Sequence, residues 1–192
     1  MKKTLKKLLA LLLIVFSSYS FTNILLEETE INLDESTITW KGYKVTGSHE
    51  GTIKFNSGKL TFNDGTLVDG AFSMDMNSIK CTDLQGDSAR NLEGHLKSKD
   101  FFETENHPNA ILQFKEVTMN GENNYRVKGD LTIKGITKSI DFDFAVDGNK
   151  ATAALKIDRS KFDVKYKSPS FFEGLKDKVI YDDFDITVNL KF

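Results

Sequence analysis

Three histidines and a few carboxylates are the residues of this chain best suited to moving protons or holding a metal. His49, His95 and His107 have Glu50, Asp75 and Asp100 as candidate partners, and an imidazole beside a carboxylate can act as acid, base or metal ligand. Their spacing does not support such a site. A zinc-binding helix wants two histidines on one face, as in His-Glu-x-x-His, whereas these three lie in separate segments and the sole cysteine, Cys81, has no second thiol to join it. Structural or surface roles are therefore expected for all three, with the ring of His95 bonding a nearby loop from a short helix. Cys81 reads as a small inert side chain, and one thiol allows no internal disulfide. Asp158-Arg159-Ser160 supports two readings. The guanidinium fork could clamp a polar head group, or it could be structural, with Asp158 or Asp100 holding Arg159. No Gly-x-Ser-x-Gly elbow and no Walker-type phosphate loop occurs.

The elements around these residues are strands. From Tyr125 to Val146 the chain alternates apolar and polar side chains, with Tyr125, Val127, Gly129, Leu131 and Ile133 on one face, then Ile140, Phe142, Phe144 and Val146. Between them Lys134-Gly135-Ile136-Thr137-Lys138-Ser139 contains a glycine able to take the positive φ of a tight connection, so an antiparallel hairpin is expected. Similar strands are read at 31–33, 37–45, 51–55, 59–62, 67–76, 110–119, 151–157 and 181–192, separated by turns such as Asn56-Ser57-Gly58 and Asp147-Gly148-Asn149. Two segments break the period of two. Residues 87–97 place Leu92 and Leu96 four apart, as a helix would, and a second helical turn is read from Ser168-Pro169-Ser170 to Leu175. Short antiparallel strands joined by hairpins make a sandwich or a barrel, and the barrel is preferred because closure removes exposed edges.

The first residues fix the expected setting. Lys2, Lys3, Lys6 and Lys7 precede an unbroken apolar run from Leu8 to Phe16, followed by Ser17, Ser18 and Ser20. That order reads as a secretory signal peptide over residues 1–20, and the expected location is periplasmic or secreted. Residues 21–30 read as an acidic, weakly structured lead-in and residues 31–192 as a single barrel domain. Without the four leader lysines the formal charge falls from −2 to −6, which gives no electrostatic reason to bind nucleic acid.

Four strings are more specific than the pattern around them: Gly47-Ser48-His49-Glu50-Gly51; Leu92 to Phe102 with His107-Pro108-Asn109-Ala110; Val127 to Lys138; and Ile157-Asp158-Arg159-Ser160. In this order they resemble the YceI-like family of exported polyisoprenoid-binding proteins, over nearly all of the chain from Thr37 onward. The resemblance implies an all-β, eight-stranded antiparallel barrel, lipocalin-like, with one or two short helices. It also implies an interior that holds a long isoprenoid or other amphiphilic lipid, and neither catalysis nor metal.

The residues expected to line that interior come from alternation alone: Phe72, Met74, Met76, Leu112, Phe114, Tyr125, Val127, Leu131, Ile133, Phe142 and Phe144. Phenylalanines make wide apolar walls and methionine adapts to an irregular guest. The competing reading is that these side chains simply fill the interior, since small barrels do either. The expected activity is that of a lipid-sequestering or lipid-carrying protein, not an enzyme, with no cofactor beyond a bound lipid and transient exchange with membranes. Its rivals are a solid interaction barrel and a hydrolase using His95 or His49. Oligomeric state is left open, a homodimer included.

Overall fold

The computed structural model describes residues 25–192, so the expected signal peptide lies outside the described residues. Nine strands follow one another: β1 (Leu26–Glu30), β2 (Thr37–Lys44), β3 (Gly47–Asn63), β4 (Thr66–Cys81), β5 (Asn109–Met119), β6 (Asn124–Ile133), β7 (Ile136–Asp147), β8 (Lys150–Asp158) and β9 (Ile180–Lys191). One helix, α1 (Gly86–Lys97), separates β4 from β5. All neighbouring strands run antiparallel, and pairing of β3 with β4 and of β2 with β9 closes β2 to β9 into an eight-stranded barrel. The expected fold class is the observed one.

β1 stands outside that ring and corrects the sequence reading. Leu26–Glu30, read as weakly structured, pairs with Lys59–Asn63 of β3, while β2 pairs with the first half of the same strand. β1 and β2 are thus two pieces of one interrupted edge. The interruption turns Ile31 inward, where it is buried, and Asn32 N–H donates to the Lys191 carbonyl at 2.6 Å to tie the break to β9. Four charged or polar residues in β1 hid its strand character, because its side chains face mostly water. β3 also runs straight through Asn56-Ser57-Gly58, a turn by its sequence. The extra residues there are absorbed as register shifts against β4, and such bulges bend a strand without ending it.

The hairpin read from Tyr125 to Val146 forms as expected, with Ile133 opposite Ile136 across Lys134 and Gly135, both at positive φ. The helix also forms, and its Leu92 and Leu96 face one end of the barrel. The second helical segment does not. Ser168 receives Phe171 and Phe172 N–H in a single turn, and only Lys176–Lys178 further on makes a short 3₁₀ turn. The proline starts a turn that has no apolar stripe to continue it.

Small inward residues make room for large ones. A Cβ on Gly70 would meet the Phe114 ring at 2.7 Å, one on Gly58 would meet Ile31 and Phe72, and one on Gly51 would strike the Lys80 carbonyl oxygen and Trp40. Phe142 and Phe144 then pack edge to face on Phe114 and Phe72 lies tilted against it, with centroids 5.6 to 5.7 Å apart. At the β1 end Leu60, Phe62, Leu67, Tyr125 and Val127 pack with almost no exposure. No helix among the described residues is long and apolar enough to cross a membrane.

Candidate functional site

Two cavities lie inside the barrel. A cavity of about 110 Å³ is walled by all eight ring strands, from Ile38 on β2 round to Ile186, Val188 and Leu190 on β9. A second, of about 120 Å³, lies under α1 between the β2–β3 hairpin and the start of β9. One water needs about 10 to 15 Å³ on this scale, so neither is a packing defect. Both cavities touch Ile53, Phe102 and Phe184, so they are inner and outer chambers of one lumen with a shared partition.

Of the residues expected to line the interior, Phe72, Met74, Met76, Leu112, Phe114, Leu131, Ile133, Phe142 and Phe144 border the inner chamber. Tyr125 and Val127 also point inward but belong to the packed β1 end. The Tyr125 hydroxyl there accepts the Leu67 N–H at 3.3 Å. Both competing pictures of the interior therefore hold, each at one end.

Two groups of lining residues were missed. Ile38, Ile53, Phe55, Leu155, Ile186, Val188 and Leu190 were signalled by the same alternation, most cleanly in the last strand, and could have been found from it. Phe102 could not. It stands on the loop after α1, held by its N–H donating to Leu96 O at 3.1 Å, and no periodicity marks it as inward.

The polar groups around the outer chamber are mostly engaged with one another. Arg159 is only 2% exposed, and its Nε, Nη1 and Nη2 donate to the carbonyls of Tyr181, Val164 and Ile180 at 2.8 to 3.1 Å. Its ionic partner is Asp182 at 3.4 Å, not Asp158 or Asp100. Burial lowers its pKa, against the attraction of Asp182 and Asp158. Asp158 instead caps the turn that follows by accepting Ser160 N–H at 2.9 Å. The structural reading of Arg159 is the observed one, with a different carboxylate.

His49 Nδ1 lies 2.8 Å from Asp83, whose other oxygen accepts the Cys81 thiol at 3.1 Å and the Glu50 N–H at 3.1 Å. Burial pushes the Asp83 carboxyl up, but the hydrogen bonds from Cys81, His49 and Glu50 outweigh it and hold it at about 2. Burial and the Asp83 hydrogen bond raise the Cys81 pKa, which disfavours the thiolate.

His95 makes no loop hydrogen bond, contrary to expectation. Its buried Nε2 has no partner, and the ring stacks edge to face with Tyr166 at 4.4 Å and Phe101 at 5.5 Å. His107 lies beside Gly135, on a different connection. Asp75 is turned back on its own strand, accepting Asn77 N–H. Among the described residues no three His, Cys, Asp or Glu side chains gather as a metal site.

The geometry has counterparts among known proteins. The sequence profile of the YceI-like domain matches residues 30–192. A UPF0312 protein of Photorhabdus laumondii is 37% identical over 90 residues, 47% of this chain and 44% of its own length. A UPF0312 protein of Staphylococcus aureus is 35% identical over 85 residues, 38% of this chain and 47% of its own. The chain thus spans under half the length of these curated relatives.

Among solved structures, BcnA of Burkholderia cenocepacia superposes with a TM-score of 0.66 at 22% identity, over 83% of this chain and 98% of that one. A polyisoprenoid-binding domain of Saccharophagus degradans, implicated in plant cell wall breakdown, superposes with 0.58 at 14% identity, over 86% and 97%. At these identities the likeness is one of fold.

Proposed function

The chain belongs to the YceI-like family, and from that premise we propose that it is a binding protein whose lumen shelters one long-chain lipid of the polyisoprenoid type from water. The observation that carries this reading is the inner chamber, which is lined by Ile, Leu, Val, Met, Phe and Ala side chains alone. Such a wall recognises hydrocarbon and nothing else. The polyisoprenoid-binding domain among the structural neighbours supports the same ligand class.

Each buried methylene is worth about 0.8 kcal/mol, so twenty would contribute roughly 16 kcal/mol before ordering losses. A bilayer offers the same hydrocarbon gain, so movement between membrane and barrel is nearly balanced, as a sequestering or ferrying protein requires. The basic, then apolar, then serine-containing order of residues 1–20 supports export, and a carrier of this kind works in the periplasm or outside the cell. Binding rather than catalysis is favoured by the histidines. None of them borders the inner chamber, His95 is wedged between aromatic rings, and His107 sits on a connection of its own.

The test is extraction of natively purified protein with organic solvent, followed by mass spectrometry. A long-chain lipid at close to one per chain is expected. Lipid-free protein that also takes up no added isoprenoid would overturn the reading.

A further inference from the structure

The outer chamber differs from the inner one where β2 ends. Along β2, Ile38 and Trp40 turn into the barrel; past Trp40 the alternation of burial ends, the pairing with β9 shifts register between Gly42 and Lys44, and Gly42, Tyr43 and Lys44 all border the outer chamber. Gly42 has ordinary negative φ, and a Cβ built on it would meet nothing within 4 Å. The other inward glycines of the barrel are filled by a neighbour, as Gly70 is by Phe114 and Gly58 by Ile31 and Phe72. At Gly42 the missing side chain leaves space instead.

Lys44 is also set apart from the polar groups nearby. Arg159 is occupied by carbonyls and Asp182, the Tyr43 hydroxyl donates to Asp185 at 2.6 Å, and His49 is held by Asp83. Lys41, the outward neighbour on β2, pairs with Glu50 at 3.3 Å. Lys44 forms no ion pair among the described residues, and it is the one lysine that borders either chamber.

We propose that the outer chamber is the subsite for the head of the ligand, that the tail passes the Ile53–Phe102–Phe184 partition into the inner chamber, and that the head carries an anionic oxygen held by Lys44. This rests on the lipid-binding reading above and adds to it a direction and a head-group chemistry. The inner chamber is lined by hydrocarbon alone, so a charged group cannot stay solvated inside it. It stays in the outer chamber, where the ammonium of Lys44 on its flexible stem reaches it. Phosphate monoesters and carboxylates share this chemistry.

The experiment uses three probes with one tail: geranylgeranyl monophosphate, geranylgeranoic acid and geranylgeraniol. Their affinities are measured for wild type, Lys44→Gln and Gly42→Phe at low and at high salt. Wild type is expected to favour the two anions over the alcohol by about fivefold at low salt, the preference shrinking as salt rises. Stronger binding of the monophosphate than of the acid identifies a phosphate head, and the reverse order a carboxylate.

Lys44→Gln removes the preference and leaves the alcohol unchanged, while Gly42→Phe weakens all three at least tenfold with its circular dichroism and Tm retained. Equal binding of alcohol and anions by wild type overturns the anionic head and leaves the lipid-binding reading standing, as does a preference that survives Lys44→Gln. Unchanged affinities in a folded Gly42→Phe place the head elsewhere and overturn the subsite. Failure of all three probes to bind wild type removes the lipid-binding reading, and this one with it.

Discussion

The two ends of this barrel solve opposite problems with different materials. At the β1 end, strands alone make a seal: Leu60, Leu67 and Val127 are almost wholly buried, and Phe62 stacks on Phe192 with centroids 5.7 Å apart. At the α1 end a helix, a loop carrying Phe102 and a buried arginine surround the outer chamber. A sealed end needs only apolar side chains of the right volume. An open one has to hold irregular backbone in place against the pull to collapse, so it uses directional bonds.

The largest effect that separates the two ends is expected at Arg159. Replacing it with Met takes the guanidinium donors from three carbonyls and leaves Asp182 with the Ser170 hydroxyl but no cation, and urea unfolding should register a loss of about 4 kcal/mol. A loss below about 1 kcal/mol would mean that the loops of the open end stand without it.

At the sealed end Leu60→Ala should cost about 3 kcal/mol, because a fully enclosed site cannot collapse around the missing atoms. Phe102→Ala, by contrast, should cost about 1 kcal/mol, since Phe102 already borders empty space on both sides. It should also merge the chambers, so that the longest isoprenoid tail retained in a chain-length series increases. Equal losses from Leu60→Ala and Phe102→Ala would mean that the two ends are packed alike.

The inward glycines make a matched pair. Gly51→Ala forces a Cβ onto the Lys80 carbonyl and the Trp40 ring, and should lose about 3 kcal/mol or more. Gly42→Ala should stay within about 0.5 kcal/mol of wild type on the same urea curve.

The smallest effect is electrostatic. Asp83 is held at about 2, below its ordinary value of 3.8. Its contribution to stability is therefore complete above pH 4 and is lost as pH falls toward 2. Asp83→Asn should melt below wild type at neutral pH, and the gap in Tm should narrow through that window. A gap that stays constant down to pH 2 would show that Asp83 acts by shape and not by charge.

How much of this was legible beforehand follows the same division. The hairpin of β6 and β7, the long alternation of β9 and most of the inner wall were readable, because a strand with one dry face writes its environment into every second residue. The same rule marked Tyr125 and Val127 as inward but carried no information on whether their level of the barrel is hollow. β1 was missed for the converse reason: Glu27, Glu28 and Glu30 face water on an edge whose role is backbone pairing with β3. Phe102, the Arg159–Asp182 pair and the lodging of His95 between Tyr166 and Phe101 join residues far apart in the chain, with no spacing to announce them.

By itself the sequence determined that this chain becomes an antiparallel barrel with an apolar inside, since period-two patterning and turn residues act over a few neighbours. Only the tertiary structure decided where that inside is solid and where it is empty. Volume is settled by which side chains from different strands arrive at the same level, and Gly42 opposite open space reads the same in one dimension as Gly70 beneath a phenylalanine ring.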